Sequence, residues 1–409
     1  MKILTPNSNK HAVHVYSEIG NLKEVIVQKP GDELRNFDVG DRQSFLMDGD
    51  IDVVQARKEH DRFVNILKKN GVKVYYFNDL FCETWDLISD DDKIRFINKF
   101  VNETKQPSKE LCEKIKNYLI VNFLKNAKGI TKVLIEGIQS KDLYETTSNR
   151  VYITKPLANI YFQRDNYSCF GDCVSINKMK YLIRQRESLL SELVWKFHPK
   201  FSQTQQVYSR NESLSIEGGD IFPYTKDTLV IGISQRTSLR AALLLAKNLK
   251  SAKTEFKQIV CINVPKAARL MHLDTWLTML DTNKFLYSPV AVKSFKFWKI
   301  SLKSKTITAK ILNKVSLSEV LEEIIGCKPI LIPVAGNNSQ LDINRETKYD
   351  GTNFLVIRPG VVVGFDRNRE TIKALKAAGI TVLGFEGDEL SLGEGNARCM
   401  SMPIWREDI

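Results

Sequence analysis

One local order of elements recurs along this chain, and that recurrence limits the possible folds more than any single motif does. Residues 353–357 and 361–365 are two β-rich runs split by Pro359-Gly360, a turn signal. A helix over 369–378 follows, and Gly379 stops it because glycine takes the left-handed cap conformation at least cost. Residues 380–385 form a further strand, so the order is ββαβ. The same order appears at 220–224, 228–233, 238–249 and 256–264. The first segment shows part of it: a strand at 22–28, a helix at 54–69 ended by Asn70-Gly71, and a strand at 72–77. Two fainter copies are present. One runs from a strand at Ile160-Tyr-Phe through Ile176 to a helix at 184–196. The other runs from 284–288, through a helix opened by Ser316 and Glu319 at capping-box spacing, to a strand at 329–334. Repeated units of this kind build closed or stacked architectures, because each buries its apolar face only against its neighbours. An open doubly wound sheet is the competing α/β reading, but no Gly-x-Gly-x-x-Gly follows the first strand.

The stretch from 79 to 144 breaks the repeat. Ser89-Asp90-Asp91-Asp92 and Pro107-Ser108 are helix-start signals, and Leu111, Ile115, Leu119 and Phe123 recur at helical spacing. We therefore read 1–78 and 145–409 as one α/β domain and 79–144 as a helical insertion. Composition matters mainly for what it excludes. No apolar run approaches the roughly 18 residues a membrane helix needs. Met1 to Lys10 lacks the apolar core of a signal peptide. A cytoplasmic protein without a membrane partner is expected. The seven cysteines are odd in number and form no Cys-x-x-Cys pair, and the five histidines are scattered, which argues against a disulfide framework and a zinc site. The net charge is +12, richest at Lys293-Ser-Phe-Lys-Phe-Trp-Lys299 and on to Lys303, Lys305 and Lys310. Aromatics between lysines can stack on bases. No nucleic-acid motif accompanies the patch, however, and strands with one charged face look the same, so no nucleic-acid partner is expected.

Polar clusters fall at corresponding places in the repeats. They are Asn159-Ile-Tyr-Phe-Gln-Arg-Asp165, Glu217-Gly-Gly-Asp220, His272-Leu-Asp274 and the loop holding Cys399. In a ring of repeats such positions converge on one cavity. A cysteine is a nucleophile once its pKa is lowered. A histidine passes protons in either direction, and a glutamate beside it favours the charged ring, making it an acid first and a base later. Two further carboxylates imply a cationic substrate, and the planar fork of a guanidinium fits them well.

On these motifs the sequence resembles the arginine deiminases, most nearly the mycoplasmal ones. Asn159 to Asp165, Glu217-Gly-Gly-Asp220, Ser234-Gln-Arg-Thr237, Met271-His-Leu-Asp-Thr275, Asp350-Gly-Thr-Asn353 and Gly395-Asn-Ala-Arg-Cys-Met-Ser-Met-Pro403 carry a likeness that spans nearly the whole chain. The resemblance implies a five-bladed α/β propeller of ββαβ modules, the pentein fold, with an α-helical insertion. It implies conversion of L-arginine and water to L-citrulline and ammonia. Cys399 would attack the guanidinium carbon, and His272 would protonate the departing ammonia and then activate water. Glu217 would orient His272, while Asp165 and Asp274 would clamp the guanidinium nitrogens. The resemblance puts Arg184 and Arg236 on the substrate carboxylate, Asn159 and Phe162 in the pocket lining, and Asp220 close by. It implies no metal or organic cofactor, and a homodimer is expected.

Two departures from the family pattern matter. Phe37-Asp-Val-Gly-Asp-Arg-Gln-Ser-Phe-Leu-Met47 replaces a Pro-x-Arg-Leu-x-x-Leu-Leu-Phe-like lid, and Phe162-Gln-Arg-Asp-Asn166 replaces Phe-Thr-Arg-Asp-Pro. We expect 37–50 to be a mobile cover whose apolar side is Phe45, Leu46 and Met47. A related guanidine hydrolase, such as a dimethylarginine hydrolase or agmatine deiminase, shares the Cys and His, and a non-catalytic binding relative also stays open. The two arginines and the insertion favour arginine.

Overall fold

The computed structural model describes residues 12–37, 39–144, 152–265, 270–290, 295–313, 315–336 and 338–409. Met1 to Lys10, the domain boundary at 145 and Lys293 of the basic patch lie outside the described residues. Each repeat becomes a three-stranded blade: an antiparallel pair whose second strand leads through a helix into a parallel third. In the last blade these are Leu355–Arg358, Val361–Phe365 and Thr381–Phe385, with helix Arg369–Ala377. Gly360, at φ +73°, makes the turn between the first two. The third blade comprises Ile221–Thr225, Thr228–Ile233 and Gln258–Asn263, with helix Leu239–Ser251. Leu229, Val230, Ile231 and Ile259 to Ile262 are all buried, so these strands read as continuous apolar runs rather than alternating ones.

The second blade uses Tyr167–Phe170, Cys173–Ile176 and Gln205–Tyr208 with helix Leu182–Phe197. Ile160-Tyr-Phe, read from the pattern as its opening strand, forms turns instead. The three side chains are buried against the core and the loop that holds Cys399 without joining a sheet, and in sequence that looks like a strand. The fourth blade is Leu277–Met279, Lys284–Tyr287 and Ile330–Pro333. Its helix Leu317–Ile325 opens with the Ser316/Glu319 capping box. The basic patch falls on a hairpin, Phe297–Ser301 and Ala309–Leu312, that leaves the fourth unit and extends the third blade beside Gln258–Asn263. Phe297 and Ile300 face the core there, and Lys299 pairs with Glu323 at 2.6 Å.

The first unit supplies only Leu22–Val27, helix Val53–Lys69 and Lys73–Tyr76. Its missing strand is Ser401–Arg406, which runs antiparallel to Leu22–Val27 and closes the ring. The helical stretch begins slightly early, as Phe77–Leu87, and continues with Asp90–Glu103, Lys109–Phe123 and Ala127–Glu136. Ser89 and Ser108 cap the middle two by accepting from Asp92 N and Leu111 N. Trp85, Phe96, Phe100, Ile115 and Leu119 join Leu189, Leu193 and Trp195 of the second blade's helix in one buried cluster.

Candidate active site

Every blade delivers a polar side chain from the segment just before its first strand. Asp165 precedes Tyr167–Phe170, Glu217 and Asp220 precede Ile221–Thr225, and His272 and Asp274 precede Leu277–Met279. Asn353 precedes Leu355–Arg358, and Cys399 precedes Ser401–Arg406. All seven side chains are buried.

The loop carrying Cys399 is held by its backbone. Cys399 N donates to Asn353 Oδ1 at 2.9 Å, and Arg164 N donates to the Cys399 carbonyl at 3.0 Å. Asn396 Oδ1 accepts from Phe365 N and Ala397 N at 3.0 and 2.7 Å, tying the loop to the last blade. A Cβ at Gly395 would press on the Phe162 ring and lie 2.9 Å from the Cys399 Cβ, so only glycine lets the loop pass. Cys399 Sγ lies 3.7 Å from Asp274 Oδ2. Burial pushes the thiol well above its ordinary pKa, Asp274 and Asp165 push further, and Arg398 opposes them. The sulfur therefore rests as a neutral thiol.

His272 Nε2 lies 2.8 Å from Glu217 Oε2, and Nδ1 lies 3.8 Å from Asp165 Oδ1. Burial alone would lower the ring's pKa, but Asp165, Glu217 and Asp220 outweigh it and raise it to about 9. The imidazole is thus cationic near neutrality. Burial would raise Glu217, yet Arg236 and His272 outweigh that and hold it at about 2. Arg236 Nη1 donates to Glu217 Oε2 at 3.2 Å, and its guanidinium sits 4.5 Å from the Tyr181 ring centre. Asp220 accepts from Ser234 Oγ at 2.6 Å and from Leu273 N at 2.8 Å, so it shapes the turn between His272 and Asp274. Burial lifts Asp220 to about 7.

Asp274 uses Oδ2 to accept from Arg398 Nη1 at 3.0 Å. Arg398 Nη2 donates to Glu18 Oε2 at 2.8 Å, and Arg164 lies 3.7 Å from the same carboxylate. Burial would raise Glu18, but Arg398, Arg164 and Arg406 hold it below the usual range. Motif reading did not single out Glu18 or Asn353 as site residues. The available signal for Glu18 was a lone carboxylate between Val13, Val15, Ile19 and Leu22. Asp165 Oδ2 accepts from Arg184 Nη1 at 2.8 Å. Arg184 also grips Glu187 at 2.9 Å and reaches the Asn159 carbonyl at 3.5 Å, so its donors are turned inward. Asp165 Oδ1 and Asp274 Oδ1 have no hydrogen-bond partner among the described residues.

The described part of the 37–50 stretch packs beside the segments that carry the site residues. Its turn Val39–Phe45 buries Phe45, and Met47 is buried after it. Phe37 stacks on Phe45 at 4.5 Å. Asn159 Nδ2 donates to the Phe45 carbonyl at 2.7 Å, and Asp48 N to the Leu392 carbonyl at 2.8 Å. Among the described residues no group of three or more His, Cys, Asp or Glu side chains is arranged to hold a metal ion. Nor is any described helix long and apolar enough to cross a membrane.

Solved structures share this architecture. The amidinotransferase SxtG from Microseira wollei superposes with a TM-score of 0.58 at 14% identity, covering 97% of this chain and 98% of that one. DDAH from Pseudomonas aeruginosa, solved in complex with citrulline, gives 0.51 at 15% identity, covering 93% and 99%. These likenesses define the class as a pentein-type α/β propeller. The chain belongs to the arginine deiminase family, whose model matches residues 43–406. The arginine deiminase of Metamycoplasma arthritidis is 46% identical over 98% of this chain and 99% of its own length. The putative arginine deiminase of Mycoplasma pneumoniae is 39% identical over 98% and 100%.

Proposed function

We propose that this site hydrolyses L-arginine to L-citrulline and ammonia through a covalent amidino adduct on Cys399. The observation that carries the reading is the pair of buried carboxylates beside Cys399, each keeping one oxygen without a hydrogen-bond partner among the described residues. A guanidinium placed between Asp165 and Asp274 satisfies both oxygens and compensates their charge. The same cation lowers the pKa of the neighbouring thiol, whose proton leaves as substrate enters. The thiolate attacks the guanidinium carbon and gives a neutral tetrahedral adduct. His272, cationic below about pH 9, donates to the departing nitrogen, and ammonia leaves. The neutral imidazole then takes a proton from water as the oxygen adds to the amidino carbon. Collapse expels the sulfur, which recovers its proton from the adduct's hydroxyl.

Glu217 holds His272 and keeps it charged in the first half. Asp220 sets the turn on which His272 and Asp274 sit, and Phe162 and Asn159 line the pocket. The resemblance assigns both Arg184 and Arg236 to the substrate carboxylate. The geometry favours Arg236, because Arg184 spends its donors on Asp165, Glu187 and the Asn159 carbonyl. The propeller of 1–78 and 145–409 carries the chemistry, and 79–144 is an accessory lobe. A cytoplasmic homodimer acting on a free amino acid, without nucleic acid or membrane, completes the reading. Incubation with L-arginine and detection of citrulline and ammonia tests it; no citrulline from folded protein sinks it.

A further inference from the structure

A second cavity, of about 710 Å³, lies where the first blade meets the helical insertion, and none of Cys399, His272, Glu217, Asp165 or Asp274 lines it. Its wall comes from the chain that follows Leu22–Val27, from helix Val53–Lys69, and from helices Phe77–Leu87 and Ala127–Glu136 of the insertion. Glu33 sets its chemistry. That side chain is 2% exposed, its Oε1 accepts from Gly31 N at 2.7 Å, and no cation pairs with it among the described residues. Arg57, in the same wall, is turned instead to the Pro30 carbonyl at 3.0 Å and to Asp32 at 3.5 Å. Glu136 has only the Lys132 ammonium, 3.8 Å away on a side chain that is 67% exposed. Asn78 N donates to Gln28 Oε1 at 3.1 Å, while Asn78 Oδ1 is buried and has no hydrogen-bond partner among the described residues. Burial raises the Glu33 carboxyl to about 7 and raises Glu136 as well, because neither has enough positive charge beside it. The remaining charges of the wall are answered or wet: Lys29 pairs with Asp61 at 2.7 Å, Glu83 with His198 at 3.0 Å, and Asp79 and Lys128 are exposed. The cavity therefore offers two carboxyls and an amide oxygen that lack matching donors.

We propose that this cavity is a second binding site, for a small alkyl guanidinium whose N–H groups answer Glu33, Glu136 and Asn78 Oδ1. An ammonium carries its donors on one atom, whereas a guanidinium spreads five over a planar fork and so reaches acceptors that stand on separate elements. Pro30 and Ile135 give the alkyl stem an apolar surface in the same wall. Lys132 yields its place readily, since a solvent-exposed ion pair contributes little. Glu33 belongs to the first blade, and Asn78 and Glu136 to the helices packed against it, so the ligand ties the insertion to the propeller. The site goes beyond the hydrolysis reading and needs neither Cys399 nor turnover.

The probes are butylguanidine, butylamine and butylurea, the last a neutral planar analogue of the first. They are titrated by calorimetry at pH 8, above the Glu33 value, into full-length Cys399→Ser protein, so that no covalent step intervenes. Butylguanidine is expected to bind with a dissociation constant of about 1 mM or below, and the amine and the urea each about tenfold more weakly. Glu33→Gln, which keeps the shape and the acceptor for Gly31 N, is expected to weaken butylguanidine about tenfold or more. Glu136→Gln, on the more open side chain, is expected to weaken it about threefold and decides the matter should the buried substitution fail a thermal melt. Lys132→Met removes the competing cation and is expected to tighten binding about twofold, a gain that damage to the fold does not produce. No saturation below about 10 mM, or equal affinity for butylguanidine and butylurea, overturns the proposal. Saturable binding that the Glu33 and Glu136 substitutions both leave unmoved belongs to the reaction site, and it overturns the proposal too.

Discussion

Replacing Gly219 with alanine is expected to disable His272 without unfolding the chain. A Cβ at residue 219 would lie 2.6 Å from Cγ and Nδ1 of His272 and 2.9 Å from its Cβ. Ordinary contact begins near 3.4 Å, so the ring or its turn must withdraw by about 0.8 Å. A displacement of that size is enough to take the 2.8 Å bond to Glu217 out to about 3.6 Å, past hydrogen-bond reach. Gly219 does not sit in the left-handed region, so the added methyl brings no backbone strain and the perturbation is steric. Misplacement on the order of 1 Å costs about 10²-fold, and a general acid–base group contributes 10²–10⁴. We therefore expect kcat for citrulline formation to fall about 10²-fold. The alkaline limb of the pH–rate profile should also move to lower pH, because a ring freed from Glu217 binds its proton less tightly. Steady-state rates from about pH 6 to 10 and a thermal melt are the measurements. A kcat within about threefold of wild type, with an unmoved alkaline limb, would refute the reasoning.

Glu217→Gln keeps an acceptor for His272 but removes the charge that helps raise its pKa to about 9, so the alkaline limb of kcat/KM should shift to lower pH; an unmoved limb refutes the pairing. Cys399→Ser should abolish turnover while remaining folded, and acid-quenched wild type should carry the amidino mass on Cys399; adduct on another cysteine sinks the assignment. His60 concerns stability. It is fully buried, both ring nitrogens lack hydrogen-bond partners among the described residues, and burial lowers its pKa from 6.5 to about 3. The unfolded chain therefore gains a proton below pH 6.5 that the folded chain refuses, so stability present above pH 6.5 is lost as pH falls toward 3, by about 2 kcal/mol at pH 5. His60→Leu should shrink the fall in unfolding free energy between pH 7.5 and 5 by about that amount, measured by urea titration; an unchanged fall shows that the burial is not felt.

Local order was legible wherever it follows from local pattern. The ββαβ repeat, the caps at Ser89, Ser108 and Ser316, and the helical stretch all follow from spacing and turn chemistry. Ring closure does not: Ser401–Arg406 and Leu22–Val27 pair across almost the whole described chain, and no periodicity marks one as the other's partner. The chemical residue types of the site were legible for the same reason as the repeat, since each stands before the first strand of its blade. Their bracing was not. Arg184 looks like a free cation in sequence, but its contacts run to Asp165 and to Glu187 one helical turn away. Nothing in the sequence pairs Glu18 with Arg398 and Arg164, which the fold brings from distant segments. Ile160-Tyr-Phe misled because burial by the catalytic loop and burial in a sheet leave the same apolar signature.

The seam of the ring has a temporal meaning. Synthesis runs from low residue numbers to high, so four sheets can be complete while the first still lacks its outer strand and Cys399 does not yet exist. Nucleophile and closing strand are made within a few residues of each other, and the backbone bonds that aim the sulfur come from Asn353 and Arg164 on two other blades. A nascent or truncated chain can therefore acquire much of its core and still carry no aimed thiol. Arrival of the seam strand and positioning of Cys399 therefore go together, so the rate at which Cys399 becomes able to react with a guanidine-like electrophile during refolding is expected to follow the locking of the ring.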